Sequence, residues 1–387
     1  MTFVQQAHVA SPKDDNSLMN CTLLTSSWLT TLAVMERQWN PAMHPPQRRH
    51  TDMTVTTSDG VTLAVRVYGT RAARHTVVLL HGLCVTDEVW SLHVEHLLRS
   101  HDGDIRIITY DHRGHGRSGR APARTYRIEQ LADDLAVVLS ELDVVGPMTL
   151  VGHSMGGMVA LAYLARPPAE RTVDPDGLVL VSTAAGHLAG GGLGRLLDTP
   201  GIDALLSVVR RMPVKALDMV AGPLCATLGR VWPAQRAMLA KVAGAVATTP
   251  IPTAVGFLPG LRDYDLRPTL GRIRAHTVVV SGGADPLTPA THSYELADAI
   301  RSATHIHLPH AGHMLPNELP GTVAEAVRMA MLLCGTAPLA DHGRRLRAQG
   351  DMNSPDCSES RCCRDCFGLP RLGDPAIRGR GELSCGS

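Results

Sequence analysis

Apolar residues in the middle of the chain fall into two alternating patterns. Short continuous runs have the length and composition of strands buried on both faces, and they occupy residues 76–80, 105–110, 149–151, 177–182, 277–281 and 305–308. Between two of these runs, Leu131, Leu135 and Val138 recur at helical spacing. Strands that alternate with helices across short polar joints predict an α/β fold with a mostly parallel, doubly wound sheet.

The first regular segment is different in kind. Residues 53–57 and 63–68 alternate between apolar and polar positions on either side of Ser58-Asp59-Gly60. This pattern predicts an antiparallel hairpin ahead of the parallel strands.

A change in the pattern of apolar residues divides the chain into a core and an insertion. Residues 51–186 and 262–334 carry the strand and helix alternation and form the predicted core. Residues 187–261 instead place Leu and Met at helical spacing, punctuated by Gly and Pro, which predicts a helical cap over the carboxyl edge of the sheet.

The two ends lack this pattern. Residues 1–50 are expected to be a flexible extension, too polar for a membrane-spanning helix and with Asp14 and Asp15 where a signal peptide needs positive charge. The alternative is an amphipathic segment for peripheral membrane contact, formed by Leu24, Trp28, Leu32 and Met35. Residues 335–387 are rich in Cys, Arg and Gly without any period and predict a disordered tail.

Composition excludes several classes of function. The 387 residues carry a net charge of +1 without a basic run, so no nucleic acid partner is expected. The nine cysteines are an odd number and indicate reduced thiols in a cytoplasmic protein. Cys363 and Cys366 have a spacing found in zinc sites, but the tail offers no second clean pair, so no metal is expected.

The strongest chemical signal is Gly152-His153-Ser154-Met155-Gly156, which stands between a predicted strand and a predicted helix. Gly152 and Gly156 fit a turn so tight that a side chain at either position would collide with its neighbours. Such a turn presents the Ser154 hydroxyl above the sheet, beside the Met155 backbone N–H at the positive end of the following helix. The pattern is typical of a nucleophile elbow.

Five motifs in order make residues 53–333 resemble the α/β-hydrolase superfamily. They are His81-Gly82-Leu83 after the third strand, Asp111-His112-Arg113-Gly114-His115-Gly116-Arg117-Ser118 after the fourth, the elbow after the fifth, Gly283-Ala284-Asp285 after the seventh and Gly312-His313 after the eighth. The resemblance implies an α/β-hydrolase fold with Ser154 as nucleophile, Asp285 as acid and His313 as base, each just past a strand.

Some alternatives stay open at this stage. Asp263 and Asp265 compete with Asp285 but come before a strand instead of after it, and His310 competes with His313 as the base.

Two loops near the elbow receive roles from the resemblance. The second oxyanion donor is expected to be the Leu83 N–H, with Gly82 allowing close approach. Cys84 either lines the site or is a small buried hydrophobe. Asp111 and Arg113 are expected to brace the elbow by ion pairing.

The residue types favour one reaction. Serine at position 154, where epoxide hydrolases and haloalkane dehalogenases of this fold have aspartate, predicts carboxylic ester hydrolysis through an acyl-enzyme, without any cofactor. The apolar insertion predicts a lipophilic small-molecule ester as substrate. The alternatives are a cofactor-free haloperoxidase or perhydrolase, and a ligand-binding receptor or pseudoenzyme on the same fold.

Overall fold

The computed structural model describes residues 50–101, 104–186, 188 and 249–335. The predicted N-terminal extension and C-terminal tail lie outside the described residues, as does almost all of the predicted cap. Among the described residues, no helix combines the length and apolar character needed to cross a bilayer.

Eight strands form one sheet in the order β1-β2-β4-β3-β5-β6-β7-β8. Their bounds are β1 Thr51–Thr56, β2 Thr62–Tyr68, β3 His75–Leu80, β4 Ile105–Tyr110, β5 Met148–His153, β6 Gly177–Val181, β7 His276–Gly282 and β8 Ala303–Leu308. The β1–β2 and β2–β4 pairs are antiparallel, and the other neighbouring pairs are parallel. The predicted hairpin and the mostly parallel α/β sheet are therefore confirmed.

Helices connect the parallel strands. Within the described residues, the α-helices are α1 Ser91–Ser100, α2 Ile128–Glu141, α3 Met155–Ala165, α4 Ile251–Asp263, α5 Ala290–Ala299, α6 Leu315–Glu318 and α7 Pro320–Gly335. Short 3₁₀ turns lie at Asp87–Trp90, Ala123–Thr125, Pro168–Glu170 and Arg267–Arg272. Helix α4 begins inside the predicted cap and ends two residues past its predicted boundary at residue 261.

The sheet is buried on both faces. In β3, Val78 and Leu80 belong to one apolar cluster, whereas Val77 and Leu79 belong to a second cluster on the opposite face. Alternate residues of a strand point to opposite sides, so an unbroken apolar run supplies both clusters. This explains why the central strands read as continuous hydrophobic runs in the sequence.

The parallel topology also positions the site. Strands β3, β5, β6, β7 and β8 run in one direction, so their carboxyl ends lie at one edge of the sheet. Side chains just after these strands therefore meet, although they are far apart in the chain.

Candidate active site

Ser154 is a single residue between the end of β5 and the start of α3. Its backbone angles are φ 52° and ψ −119°, a conformation that residues with a side chain rarely adopt. The Ser154 N–H donates to the Val181 carbonyl at 2.9 Å, and the Thr183 hydroxyl donates to the Ser154 carbonyl at 2.7 Å. Contacts from the end of β6 thus hold the strained residue on both sides.

The elbow glycines have no room for a side chain. A Cβ at Gly156 would lie 2.2 Å from the Leu80 carbonyl oxygen, and one at Gly152 would lie 2.4 Å from the Gly156 carbonyl oxygen. Helix α3 therefore passes directly over the ends of β3 and β5.

Three side chains form a hydrogen-bonded chain at this edge of the sheet. His313 Nε2 lies 3.0 Å from Ser154 Oγ, and His313 Nδ1 lies 2.8 Å from Asp285 Oδ2. Asp285 follows β7 and His313 follows β8, and both are buried. The geometry is that of a hydroxyl, its base and a carboxylate that orients the base.

Backbone and hydroxyl donors surround Asp285. Asp285 Oδ1 accepts the Leu287 N–H at 2.8 Å and the Thr288 N–H at 3.0 Å, while Thr288 Oγ1 lies 2.8 Å from Oδ2. Burial raises the pKa of Asp285, but His313 and the Thr288 donors outweigh it and hold this pKa below its ordinary value. Asp285 is therefore an ionised acceptor for the His313 Nδ1–H.

His153 joins the elbow to the loop that carries His313. Its Nε2–H donates to the His313 carbonyl at 2.9 Å. Burial, followed by the nearby His313, lowers the pKa of His153 to about 3, which keeps the ring neutral near pH 7. Sequence reasoning did not find this contact, because His153 and His313 are 160 positions apart in the chain. It also did not find the Thr288 contacts with Asp285, which depend on how the turn after β7 folds.

The two predicted oxyanion donors lie on segments next to Ser154. Met155 is the first residue of α3, and Leu83 follows β3 by three positions. A Cβ at Gly82 would lie 3.2 Å from Ser154 Cβ and 3.0 Å from His153 Nδ1, so the loop after β3 passes close to the elbow. Within the described ranges, no hydrogen bond uses the Leu83 N–H.

Cys84 is the next residue of that loop and is half-buried. Burial raises the pKa of its thiol to about 12. The thiol is therefore protonated near neutral pH and is a poor nucleophile.

The loop after β4 braces other elements than expected. Arg113 pairs with Asp134 of α2 at 2.6 Å and with Asp59 of the β1–β2 turn at 2.8 Å. Asp111 accepts the backbone N–H groups of Asp87 and Arg117, each at 2.9 Å. The prediction that Asp111 and Arg113 brace the elbow is wrong, because their partners lie on α2, on the hairpin and on the loops after β3 and β4.

The competing residues have other partners or positions. Asp265 accepts two hydrogen bonds from the Arg267 guanidinium, and Asp263 lies 3.4 Å from Arg262 Nε. His310 is exposed. Asp285 and His313 form the hydrogen-bonded chain with Ser154, and the three competing residues are not part of it.

The part of the chain that the structure describes holds no group of three or more His, Cys, Asp or Glu side chains arranged to bind a metal ion. The Cys363–Cys366 spacing considered from the sequence lies outside the described residues.

Comparisons with known proteins agree with this architecture. RutD of Variovorax paradoxus, a protein proposed to be a carbamate hydrolase, is 32% identical over 61% of this chain and 84% of its own length. The 3-oxoadipate enol-lactonase 2 of Acinetobacter baylyi is 25% identical over 73% of this chain and 97% of its own length. The structure of a thermophilic esterase from Thermogutta terrifontis matches with a TM-score of 0.55 and 26% identity, covering 74% of this chain and all of that one.

The family model for the alpha/beta hydrolase fold matches residues 75–318, which run from the start of β3 to the end of α6. This span includes the elbow and the residues that the structure brings to it. The chain is a hydrolase that belongs to the α/β-hydrolase fold family.

Proposed function

We propose that this protein is a serine hydrolase that cleaves carboxylic esters through an acyl-enzyme on Ser154. The observation that carries the proposal is the hydrogen-bonded chain from Ser154 Oγ through His313 to Asp285, built on a strained elbow. A serine hydroxyl is a weak nucleophile at neutral pH, and an adjacent imidazole oriented by a carboxylate is the arrangement that activates it.

Each group has a defined task in the proposed reaction. Ser154 Oγ attacks the ester carbonyl while His313 Nε2 takes its proton, and His313 then returns the proton to the departing alcohol. Asp285 holds the His313 Nδ1–H and stabilises the imidazolium. The N–H groups of Leu83 and Met155 stabilise the negative charge on the carbonyl oxygen. Water then hydrolyses the acyl-enzyme by the same steps in reverse order.

Two of the comparisons support ester cleavage. One similar structure is an esterase, and one relative is an enol-lactonase, whose name denotes cleavage of a cyclic ester. Both reactions begin with nucleophilic attack on an acyl carbonyl, which is the step that the proposal assigns to Ser154 and His313.

Carbamate hydrolysis is the second candidate. The similarity to RutD, which covers 84% of that protein, favours it. A carbamate also has an acyl carbonyl, but this carbonyl is bonded to both an oxygen and a nitrogen, so hydrolysis can release either an alcohol or an amine. The same three side chains would serve both reactions, so the substrates must be compared directly.

The lipophilic character of the substrate remains a prediction. It depends on Leu and Met side chains of residues 187–261, of which the structure describes only residues 188 and 249–261. The haloperoxidase or perhydrolase alternative is supported by a shorter match, in which 114 residues are 34% identical to a bifunctional esterase/perhydrolase of Acinetobacter calcoaceticus over 39% of its length.

Labelling and turnover together test the proposal. A fluorophosphonate probe should label the unmodified protein at Ser154, and p-nitrophenyl esters of graded acyl length should be hydrolysed. Ser154→Ala should abolish labelling and lower ester turnover on the order of 10⁴-fold. Ser293→Ala, which alters a buried serine of α5, is the matched control and should keep both properties.

The outcomes separate the candidates. Absence of labelling in the unmodified protein would favour the receptor or pseudoenzyme alternative and refute the serine hydrolase. Faster turnover of an aryl carbamate than of the matched ester would move the assignment to carbamate hydrolysis. Retention of a tenth of the ester turnover in Ser154→Ala would exclude Ser154 as the nucleophile.

A further inference from the structure

Three buried histidines lie in the loops that follow β3 and β4. His81, His112 and His115 are all fully buried, and the His81 ring centroid lies 4.4 Å from that of His112 and 5.2 Å from that of His115. Their ring nitrogens are bonded mainly to backbone groups. Two of these bonds fall on the peptide groups on either side of Leu83.

The first bond fixes the peptide group that contains the Leu83 N–H. His81 Nδ1 lies 2.8 Å from the Gly82 carbonyl oxygen, and His81 Nε2 accepts the His112 N–H at 2.9 Å. Because Nε2 accepts the His112 N–H, the ring proton of His81 lies on Nδ1, which therefore donates to the Gly82 carbonyl. Because a peptide group is planar, fixing the Gly82 carbonyl also fixes the direction of the Leu83 N–H.

A bond to His115 fixes the next peptide group, which contains the Cys84 N–H. The Cys84 N–H donates to His115 Nε2 at 3.3 Å. Cys84 has a φ of 60°, the left-handed region that costs free energy for a residue with a side chain. A backbone in this conformation persists only where its surroundings hold it, and the His115 acceptor lies directly at the strained residue.

His115 is held in the form that accepts a hydrogen bond. Its Nδ1 lies 3.1 Å from the Arg113 carbonyl and donates to it, which leaves a lone pair on Nε2. Burial, followed by the neighbouring His81, lowers the pKa of His115 to about 3, so the lone pair persists near neutral pH.

Helix α4 closes over His115 from the other side. The Phe257 ring centroid lies 5.8 Å from that of His115. A Cβ at Gly114 would lie 2.6 Å from Thr253 Cγ2, so α4 also passes close to the backbone next to His115. The imidazole is thus fixed between the loop after β3 and a helix at the end of the insertion.

We propose that His115 is a positioning residue for the hydrolase reaction. By holding the Cys84 N–H, it keeps that N–H away from the substrate and leaves the Leu83 N–H as the donor to the carbonyl oxygen. The inference rests on the proposed function, since it assigns one contact within the same site. His112 of the same loop supports the peptide group before Leu83 through His81, and His115 binds the peptide group after it directly.

Two substitutions separate the acceptor at Nε2 from the donor at Nδ1. His115→Asn retains an amide near the Nδ1 position for the Arg113 carbonyl but is too short to reach the Cys84 N–H. His115→Gln can place its amide oxygen near the Nε2 position and accept that N–H. His305→Asn is the control, because His305 is also buried but its contacts are Ser281 and the rings of Tyr294 and His307.

The measurements are kcat and KM for p-nitrophenyl acetate, and inhibition constants for a trifluoromethyl ketone and for the carboxylate product. The ketone forms a tetrahedral adduct with the serine and reports on the oxyanion donors, whereas the carboxylate reports on ordinary binding. His115→Asn should lower kcat by about 10- to 100-fold with KM nearly unchanged, and should raise the inhibition constant of the ketone by a similar factor. His115→Gln should restore most of both, and His305→Asn should change neither.

The result that overturns the inference is equal loss in the Asn and Gln variants, or unchanged ketone inhibition in a folded Asn variant. A lower melting temperature with normal ketone inhibition would mean that His115 contributes only to stability. Failure of the proposed function is a separate result, because it would appear in the unmodified protein as absence of fluorophosphonate labelling.

Discussion

His93 provides a quantitative test of how the buried histidines affect stability. It lies on α1, is fully buried, and packs edge-on against Trp90 with ring centroids 5.1 Å apart. Burial, followed by the charge of His96, lowers the pKa of His93 from 6.5 to about 3. The perturbation is His93→Phe, which keeps an aromatic ring against Trp90 and removes the titrating group.

The sign follows from proton linkage. Well above pH 6.5 His93 is neutral in both the folded and the unfolded chain, so its contribution to the free energy of unfolding does not change with pH there. As the pH falls from 6.5 toward 3, the unfolded chain binds a proton that the folded chain does not, and stability is lost. Between about pH 7.5 and about pH 5 this loss amounts to about 2 kcal/mol for one histidine.

Urea unfolding at the two pH values measures this difference. The free energy of unfolding should fall by about 2 kcal/mol less in His93→Phe than in the unmodified protein over that range, whatever the offset at the higher pH. Val94→Ala, a neighbouring core truncation on the same helix, should lower stability equally at both pH values. A pH dependence that is identical in the unmodified and His93→Phe proteins would refute the assignment of a neutral buried imidazole.

Two further predictions concern the site. Asp285→Asn should lower kcat on the order of 10⁴-fold, because the amide no longer favours the His313 tautomer with a proton on Nδ1. In the same ester assay the kcat of Asp265→Asn, the matched control, should change by no more than a few-fold, and a larger loss in Asp265→Asn than in Asp285→Asn would show that the wrong carboxylate was assigned. Gly156→Ala should prevent accumulation of folded protein, because its Cβ would stand 2.2 Å from the backbone oxygen of Leu80; a melting temperature equal to that of the unmodified protein would show that α3 can move away from β3.

Local sequence determined the elements and the elbow. The unbroken apolar runs predicted strands buried on both faces, and residues such as Val77 and Val78 do supply the two opposite clusters. The position of Ser154 between a strand and a helix followed from the glycines on either side of it, because a tight turn is a property of a few consecutive residues. The order of the motifs along the chain indicated the family, which the comparison with the family model confirms.

Tertiary structure decided the contacts that join distant segments. Arg113 has the charge to brace many neighbours, and only the packing of α2 and the hairpin against its loop showed that Asp134 and Asp59 are its partners. The roles of His153 and His115 were hidden for the same reason. Both bind backbone atoms of other segments. Because residues of almost every type carry these backbone groups, residue identities do not show which group a side chain binds. Periodicity and spacing record local geometry, whereas these bonds depend on where the sheet brings separate loops together.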